Sequence, residues 1–294
     1  ELIEVATFRS GEINSNDGEL VKDQSGKIIR DNIWGNLDQD TYRRDFTVNA
    51  LYYCPKTKKI IGHKDGMSDI HKKSIVSIGD PKKRFSEDPV RSLRAIRFSN
   101  KLKFKIDTKI KDAIYEKGHL LSSISNARIF DEFCKMFLNG MAEKNFNKLN
   151  SFGLIKFLIT TEPDHNEFTS KLITEALRNT DKRMINNQSV TPGFLLAALL
   201  WPQLIEKCST KGEINLRKFF RSMDPILRSQ QRITAIPRKF HSYIKDIWVL
   251  QLKLHSRIGK QPYKTLKHPR FRAAYDFMLI REKSSGETKS LGKW

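Results

Sequence analysis

Three polar residues in succession, Arg43, Arg44 and Asp45, stand directly before the segment FTVNA. A carboxylate can hold a hard Mg²⁺ ion, and guanidinium groups neutralise phosphate oxygens, so the triplet is typical of a site for a metal–triphosphate complex. The simpler interpretation is that Asp45 caps a short helix and that both arginines are solvated. An isolated Arg-Arg-Asp favours that simpler interpretation, so the triplet needs support from elsewhere in the chain.

A second set of polar residues lies in the segment EDPVRSLRAIRF, which reads as the start of a helix. Asp88 and Arg91 are three residues apart, so their side chains are neighbours on that helix. A carboxylate beside a guanidinium can accept from and donate to a base edge, which would select a nucleotide without a template. Arg94 and Arg97 continue the basic side toward phosphates. The alternative is a helix-capping Asp88 with an ordinary ion pair to Arg91.

A third candidate, Glu4, lies in the segment Leu2 to Phe8, where apolar residues predict a strand. A carboxylate projecting from a short sheet is where a two-metal phosphoryl-transfer site would take a ligand. An exposed strand residue with no role in chemistry fits the same pattern.

The elements that must position these residues change type near residue 80. Before it, Tyr52–Cys54 and Lys59–Ile61 flank a turn and predict a hairpin, FTVNAL predicts a short helix, and Ile75–Ile78 predicts a strand. Beyond it, strand signals end and helical periodicity begins. The predicted helices are Pro89–Ser99, Thr108–Lys117, Asn126–Met141, Glu143–Ser151, Phe168–Asn179, Pro192–Trp201, Leu216–Met223, Leu227–Ala235, Pro237–Leu254, Tyr263–Leu266 and Pro269–Arg281.

The sequence therefore predicts a mixed fold, in which a small α/β head is followed by an all-α neck, body and tail. The expected ranges are 1–80 for the head, 81–150 for the neck, 151–216 for the body and 217–294 for the tail.

Positive charge is concentrated in the predicted tail. The chain has 54 Lys+Arg against 33 Asp+Glu, a formal charge of +21, and residues 217–294 carry +14 of it. Such asymmetry is typical of a protein that binds a polyanion, because phosphates attract cations and the released counterions add affinity. Aromatic side chains interleave with these cations, which would allow stacking on bases, although each one taken singly fits a helix core better. The tail residues expected to bind RNA are Arg257, Lys260, Lys264, Arg270 and Arg272.

Composition excludes several other classes of protein. The longest apolar run, from Phe194 to Trp201, is far shorter than the roughly 20 residues of a membrane-spanning helix. Three scattered cysteines give neither a disulfide framework nor a zinc site. Nothing at the start resembles a signal peptide, so we expect a protein of the reducing cytoplasm. The chain opens with ELIEVATF rather than Met, and we expect it to be a piece of something longer.

Two motifs in order, RRDFTVNALYY and DPKKRFSEDPVRSLRAIRF, closely resemble the core of the class II tRNA nucleotidyltransferase and bacterial poly(A) polymerase superfamily. The resemblance implies that Asp45 is a catalytic acidic residue that ligates metal, and the strand position of Glu4 leads us to expect that Glu4 is a catalytic acidic residue as well. It also implies that Asp88 and Arg91 recognise the incoming base. The residues implied to contact the ribose or triphosphate are Arg44, Asn49, Arg94 and Arg97.

The distal segments resemble the poly(A) branch of this superfamily rather than the CCA-adding branch. The similar segments are Asn179–Trp201 and Asp246–Glu282, and no cluster of paired His and Asp follows the neck. The superfamily's Gly-Gly loop and Asp-x-Asp metal pair have no equivalent in the sequence. Because a two-metal site needs that pair, we expect the chain alone to be catalytically inactive.

The resemblance thus implies a polynucleotide adenylyltransferase, which adds AMP from ATP to RNA 3′ ends without a template, using two Mg²⁺ ions. The alternatives are CCA addition to tRNA and, from a different class, a non-catalytic RNA-binding module. The expected partners are RNA 3′ ends and ATP, together with RNA-decay or RNA-chaperone proteins. We expect no membrane partner and a monomer.

Overall fold

The computed structural model describes residues 5–10, 21–22, 28–30, 33–162, 166–210, 213–255 and 259–285. The chain divides into two compact units, Glu1–Ile124 and Ser125–Trp294. The predicted boundary near residue 80 falls inside the first unit. The four-part division into head, neck, body and tail stays a prediction, because the two units are defined by how compactly the chain packs and not by what each part does.

The first unit combines short strands with five α-helices among its described residues. Its strands are β1 (Arg9–Ser10), β2 (Val21–Lys22), β3 (Ile28–Arg30), β4 (Ile33–Trp34), β5 (Leu51–Cys54), β6 (Lys59–Gly62), β7 (Ser74–Ile75) and β8 (Lys105–Ile106). Its helices are α1 (Leu37–Arg43), α2 (Gly66–His71), α3 (Pro81–Glu87), α4 (Val90–Leu102) and α5 (Thr108–Lys117), with 3₁₀ turns at Thr47–Asn49 and Gly118–Ser123. The pairs β1–β4, β2–β3 and β5–β6 are antiparallel, and β7–β8 is parallel.

The β5–β6 hairpin depends on a glycine at its end. Gly62 has φ of 130°, and a Cβ there would lie 2.1 Å from the carbonyl oxygen of Ala50. No other residue can adopt this backbone beside that carbonyl, so Gly62 sets where β6 ends. The next residue, His63, donates its N–H to Ala50 O at 2.9 Å and brings the chain back over the 3₁₀ turn.

The core of the first unit fixes the position of helix α4. Leu93 and Ile96 on one face of that helix are fully buried, as are Phe46 and Ile75 from the preceding elements. Burial of each such side chain contributes roughly 1.5 to 3 kcal/mol. Because Phe46 lies in this core, the residue before it, Asp45, is brought against α4.

The second unit is helical apart from one short strand pair among its described residues. Its helices are α6 (Asn126–Phe137), α7 (Ala142–Ser151), α8 (Glu167–Ile185), α9 (Pro192–Cys208), α10 (Leu216–Gln231), α11 (Arg238–Lys253), α12 (Gln261–Leu266) and α13 (Phe271–Ser285). A 3₁₀ turn spans Ile155–Phe157, and β9 (Ser209–Thr210) pairs with β10 (Glu213–Ile214). Helix α9 packs against α8, α10 and α11.

Two tryptophans organise the core around α9. Trp201 contacts the rings of Phe219 and Phe277 edge-on, with ring centroids 6.1 and 5.5 Å away. Trp248 on α11 donates its indole N–H to the carbonyl of Ala197 at 2.9 Å. The run that reads as apolar in the sequence is therefore a buried helix, and no helix among the described residues is long and apolar enough to cross a membrane.

The predicted fold class is confirmed, and so are the hairpin and the helix Thr108–Lys117. The prediction of two helices on either side of Pro225 is wrong, because α10 runs through that exposed proline. Buried apolar residues before and after Pro225 hold the helix to the core and outweigh the lost hydrogen bond. Residues 5–8 of the predicted first strand are not in a strand, and the rest of its range lies outside the described residues.

Short helices were the elements that periodicity missed. Helix α1 has no apolar stripe and is instead begun by a capping box, in which Asn36 and Gln39 bond each other's backbone N–H at 2.9 Å. Helix α3 begins with Asp80 as cap and Pro81 in the first turn. Strand β8, beyond residue 80, is only two residues long and pairs with β7.

We expect Gln230→Ala to destabilise the protein far more than Gln231→Ala. The fully buried Gln230 side chain accepts the Thr160 N–H at 2.9 Å and donates to Leu158 O at 2.8 Å, whereas Gln231 is exposed. Leaving two buried backbone groups with fewer partners costs about 2 to 4 kcal/mol in the free energy of unfolding. Urea denaturation of the two variants measures the difference, and equal losses would contradict this account.

Candidate nucleotide-binding site

Asp45 joins the two sequence motifs through a single ion pair. Its carboxylate is 6% exposed. Oδ1 accepts hydrogen bonds from the Phe46 backbone and the Asn49 side-chain amide, both at 2.9 Å. Oδ2 accepts from Nε of Arg94 at 2.5 Å. Because Arg94 lies on α4, this contact ties the Arg-Arg-Asp segment to the helix that follows Glu87-Asp88.

The protonation state of Asp45 follows from these contacts. Burial alone would raise its pKa, but the charge of Arg94 and the hydrogen bonds from Arg94, Asn49 and Phe46 hold the pKa below its ordinary value. Asp45 is therefore a carboxylate at neutral pH. The simpler interpretation of Asp45 as a helix cap is wrong, since the 3₁₀ turn is capped by Phe46 and the carboxylate is used on Asn49 and Arg94 instead.

A buried carboxylate that the motifs did not suggest, Asp40, holds both arginines of the triplet. It is 1% exposed. Arg43 Nε donates to Asp40 Oδ1 at 2.8 Å, and Arg44 Nη2 donates to Oδ2 at 2.6 Å. The Tyr52 hydroxyl and the Arg9 N–H donate to the same carboxylate. Burial opposes the charged form, yet these donors lower the pKa of Asp40 far below its usual range.

The arginines of the triplet are thus not merely solvated. Arg43 is 21% exposed and Arg44 is 40% exposed, so Arg44 is the one that presents more of its guanidinium to a ligand. Asp40 precedes them by three and four residues, which is the spacing of neighbours on a helix. That spacing was the signal by which the sequence could have identified Asp40.

Two further arginines meet the carboxyl end of α1. Arg84 Nη2 donates to the carbonyls of Arg43 and Arg44 at 2.7 and 2.8 Å, and its Nη1 donates to Glu87 at 3.1 Å. Arg91 donates to the same two carbonyls at 3.3 and 3.5 Å. Positive charge at a helix carboxyl end is favourable, because the last carbonyls have no partners within the helix. No local pattern identified Arg84, whose targets lie 40 residues earlier.

The predicted base-reading pair is close but loosely joined. Nε of Arg91 lies 4.0 Å from Oδ2 of Asp88, and Oδ1 of Asp88 accepts the Val90 N–H at 3.3 Å. Burial, with the nearby charge of Arg84, lowers the pKa of Arg91 to about 10, so the guanidinium stays charged at neutral pH. Base recognition by these two residues stays a prediction.

The basic side of α4 stacks on one aromatic ring. The guanidinium carbons of Arg94 and Arg97 lie 5.4 and 4.4 Å from the ring centroid of Phe98, which contacts Phe46 edge-on. Cation–π contacts of this kind hold guanidinium groups in place while part of each remains accessible. Arg94 keeps 32% of its side chain exposed.

The remaining predicted site residues are Glu4 and the tail cations. Glu4 and Arg257 lie outside the described residues. In the second unit Lys260 and Lys264 are exposed. Arg270 stacks over Tyr243 at 4.7 Å, and Arg272, 83% exposed, lies 3.4 Å from Asp276.

The residues around Asp45 do not by themselves fit a Mg²⁺ ion. Its two oxygens already accept three N–H donors, one of them from the cation Arg94, and a second cation there would be repelled. Across the part of the chain that the structure describes, no group of three or more His, Cys, Asp or Glu is placed to hold a metal. Metal ligation by Asp45 therefore stays a prediction.

Solved structures share this fold. A CCA-adding enzyme in an apo form matches with a TM-score of 0.63 at 20% identity, over 98% of this chain and 62% of that one. The Thermotoga maritima CCA-adding enzyme complexed with tRNA matches with a TM-score of 0.58 at 21% identity, over 87% and 59%. At this identity the likeness shows a shared fold alone.

Comparison of amino-acid sequences gives a more specific result than comparison of folds. Family models match three stretches: "Poly A polymerase head domain" at residues 1–76, "Probable RNA and SrmB- binding site of polymerase A" at 103–168, and "Polymerase A arginine-rich C-terminus" at 211–294. Poly(A) polymerase I of Haemophilus influenzae is 37% identical over all of this chain and 68% of its own length. That of Salmonella typhi is 34% identical, over all of this chain and 66% of its own.

The chain belongs to the bacterial poly(A) polymerase I family. It spans about two thirds of the length of these curated relatives. A CCA-adding enzyme of Lactococcus lactis is also similar, at 28% identity over 97% of this chain and 63% of its own length.

We expect Asp40→Asn to lower the free energy of unfolding by about 2 kcal/mol at pH 7, since hydrogen bonds to a charged group are worth roughly 1.5 to 3 kcal/mol. The folded-state pKa of Asp40 is depressed, so its stabilisation is complete above the unfolded pKa of about 3.9 and is lost as pH falls toward the folded value.

The measurement is urea denaturation of parent and variant between neutral and acid pH, with Asp38→Asn, an exposed neighbour on α1, as control. The difference in free energy of unfolding between the parent and Asp40→Asn should shrink as the pH falls below about 4. A gap that is constant with pH, or equally large for Asp38→Asn, would show that the Asp40 charge is not what holds the arginines.

Proposed function

We propose that the chain supplies the nucleotide-selecting and RNA-binding parts of an enzyme that adds AMP from ATP to RNA 3′ ends. The observation that carries this proposal is the Asp45–Arg94 ion pair, which brings the Arg-Arg-Asp segment beside the helix bearing Asp88 and Arg91. The choice of adenylate over CCA addition is supported by identity along the whole chain, 37% over all of it to poly(A) polymerase I of Haemophilus influenzae against 28% over 97% of it to the CCA-adding enzyme of Lactococcus lactis. Over 40% of the chain, a CCA-adding enzyme of Pediococcus pentosaceus is 42% identical, so the support comes from the remaining part.

In this mechanism the described residues bind and orient the nucleotide. The exposed parts of Arg44 and Arg94 neutralise triphosphate oxygens, and Asp88 with Arg91 reads the base edge. Asp45 keeps Arg94 and Asn49 in place, and in this proposal it is one of the acidic residues of the catalytic centre. The oxygen of the RNA 3′ hydroxyl attacks the α-phosphorus and its proton is released to water. The bond from the α-phosphorus to the oxygen that bridges to the β-phosphorus breaks, and pyrophosphate departs.

The basic second unit supplies affinity for RNA in this proposal. The tail residues Lys260, Lys264, Arg270 and Arg272, with Arg257 beyond the described part, contact phosphates. Such contacts are independent of sequence and weaken with salt. They lower the KM for RNA rather than the chemical barrier, since they are the same in ground and transition states.

The test is incubation of the full-length protein with RNA and ATP, or with RNA and CTP plus ATP, followed by sequencing of the RNA 3′ ends. Long A tails are expected. Short CCA ends on tRNA would indicate the CCA-adding reaction, and RNA binding without any product would indicate a non-catalytic binding module. Asp45→Asn should lower kcat by about 100-fold or more, whereas Asp38→Asn should not. Activity above about a tenth of the parent's would contradict the role of Asp45.

We expect Arg91→Ala to relax the preference for ATP over CTP. A bidentate contact to a base edge is worth roughly 1 to 3 kcal/mol, so the ratio of kcat/KM values should fall about 5- to 150-fold. Competition between ATP and CTP in primer extension measures this ratio of kcat/KM values.

The matched control is Arg84→Ala, because Arg84 donates to the same carbonyls of Arg43 and Arg44 but does not belong to the base-reading pair. It should lower activity without a change in nucleotide preference. An equal loss of preference in both variants would mean that Arg91 acts only through those carbonyls.

A further inference from the structure

Five lysines of the first unit gather where two helices end. Lys72 and Lys73 follow α2, and Lys101, Lys103 and Lys105 run from the last turn of α4 into β8. We call these five residues the lysine cluster. None of them belongs to the two sequence motifs or to the basic tail.

Backbone hydrogen bonds bring the two stretches together. Lys105 donates its N–H to the carbonyl of Lys73 at 2.8 Å, and Ser74 pairs with Lys105 in the parallel β7–β8 ladder. Lys103 is the residue that ends α4 and leads into β8. Lysines that are about 30 residues apart in sequence are therefore neighbours in the fold.

The five lysines form no ion pairs with carboxylates of the described residues, and they outnumber the two acidic residues in the same segments, Asp69 and Asp107. All five lysine side chains are exposed. The side chains of these two carboxylates are directed to neutral donors rather than to the lysines: Asp69 accepts the Thr47 hydroxyl at 2.8 Å, and Asp107 accepts the Lys109 N–H to begin α5. Five lysines against two carboxylates leave the surface with net positive charge. A surface with one sign of charge attracts counterions of the other sign.

Two of the lysines occupy backbone positions that favour glycine. Lys73 and Lys103 have φ of 51° and 57°, in the left-handed region where a side chain costs stability. After helices α6 and α7 the chain has glycine in this region, at Gly140 and Gly153. Lysine at the equivalent ends of α2 and α4 retains charge where glycine would be more stable, and such costs are typical of functional surfaces.

We propose that the lysine cluster binds the phosphate backbone of the RNA substrate, as a contact separate from the basic tail. This inference rests on the proposed function, from which it takes RNA as the polyanion. Lysine is a flexible point charge that suits phosphates without reading sequence. The family match described as a probable RNA-binding site begins at residue 103, so it includes Lys103 and Lys105 but not the other three lysines.

The test is the double variant Lys73→Gly with Lys103→Gly in the full-length protein, with a fluorescent single-stranded oligoadenylate as probe. Removing two phosphate contacts should flatten the slope of log affinity against log salt by up to about 1.4. The Kd at low salt should rise roughly 5- to 30-fold. The Tm should rise by about 2 to 4 °C, because glycine relieves the left-handed strain.

In the double variant, weaker RNA binding together with a higher Tm would indicate that the two lysines serve binding rather than stability. A second variant, Lys72→Gln with Lys101→Gln and Lys105→Gln, removes charge without touching the left-handed positions, and it should weaken RNA binding with Tm unchanged. The charge-matched control is Lys182→Ala with Lys207→Ala, two exposed lysines on α8 and α9 that lie outside the match described as a probable RNA-binding site. Its salt slope should remain close to that of the parent.

An unchanged salt slope in both lysine-cluster variants would overturn the inference while leaving the proposed function intact. Equal flattening in the control would overturn it too, because net charge alone would then explain the effect. Failure of the parent itself to bind the oligoadenylate would instead count against the proposed function.

Discussion

The candidate site depends on the ion pair between Asp45 and Arg94, since it joins a buried carboxylate of one segment to a guanidinium that lies 49 residues further along the chain. A carboxylate that is almost fully buried is unfavourable unless it is paired and hydrogen-bonded. Asp45 meets that condition with three donors. The same contacts hold Asn49 and Arg94 in place, so the requirement to satisfy one buried charge also shapes the surface that would meet a nucleotide.

A second buried carboxylate extends this arrangement. Asp40 holds Arg43 and Arg44, and the carbonyls of those two residues in turn accept from Arg84 and Arg91. From α1 to α4 each of these arginines therefore donates to a carboxylate or a backbone carbonyl, and Arg84 and Arg91 share the same two carbonyls. In such a network the removal of one member leaves its neighbours buried and less well satisfied, so the effects of substitutions should not be additive.

Positive charge is used in two different ways in this protein. Near Asp45 the arginines are paired with carboxylates and fixed in direction, which suits recognition of one small ligand. The lysine cluster and the tail instead present exposed cations, which suit a long polyanion whose phosphates need no single geometry. The contrast between paired arginines and exposed lysines thus parallels the two substrates of the proposed reaction, a nucleotide and an RNA.

The sequence by itself determined the fold class, the hairpin and most helices, because periodicity and turn residues act locally. The two motifs also indicated Asp45, Arg91 and Arg94. Only the tertiary structure decided how these residues are used. The partners of Asp45 on α4, the carbonyls held by Arg84, and the meeting of Lys73 with Lys105 join residues 30 to 50 positions apart. Core packing sets such pairings, because the burial of Phe46 and Ile75 against α4 brings the polar residues beside them together.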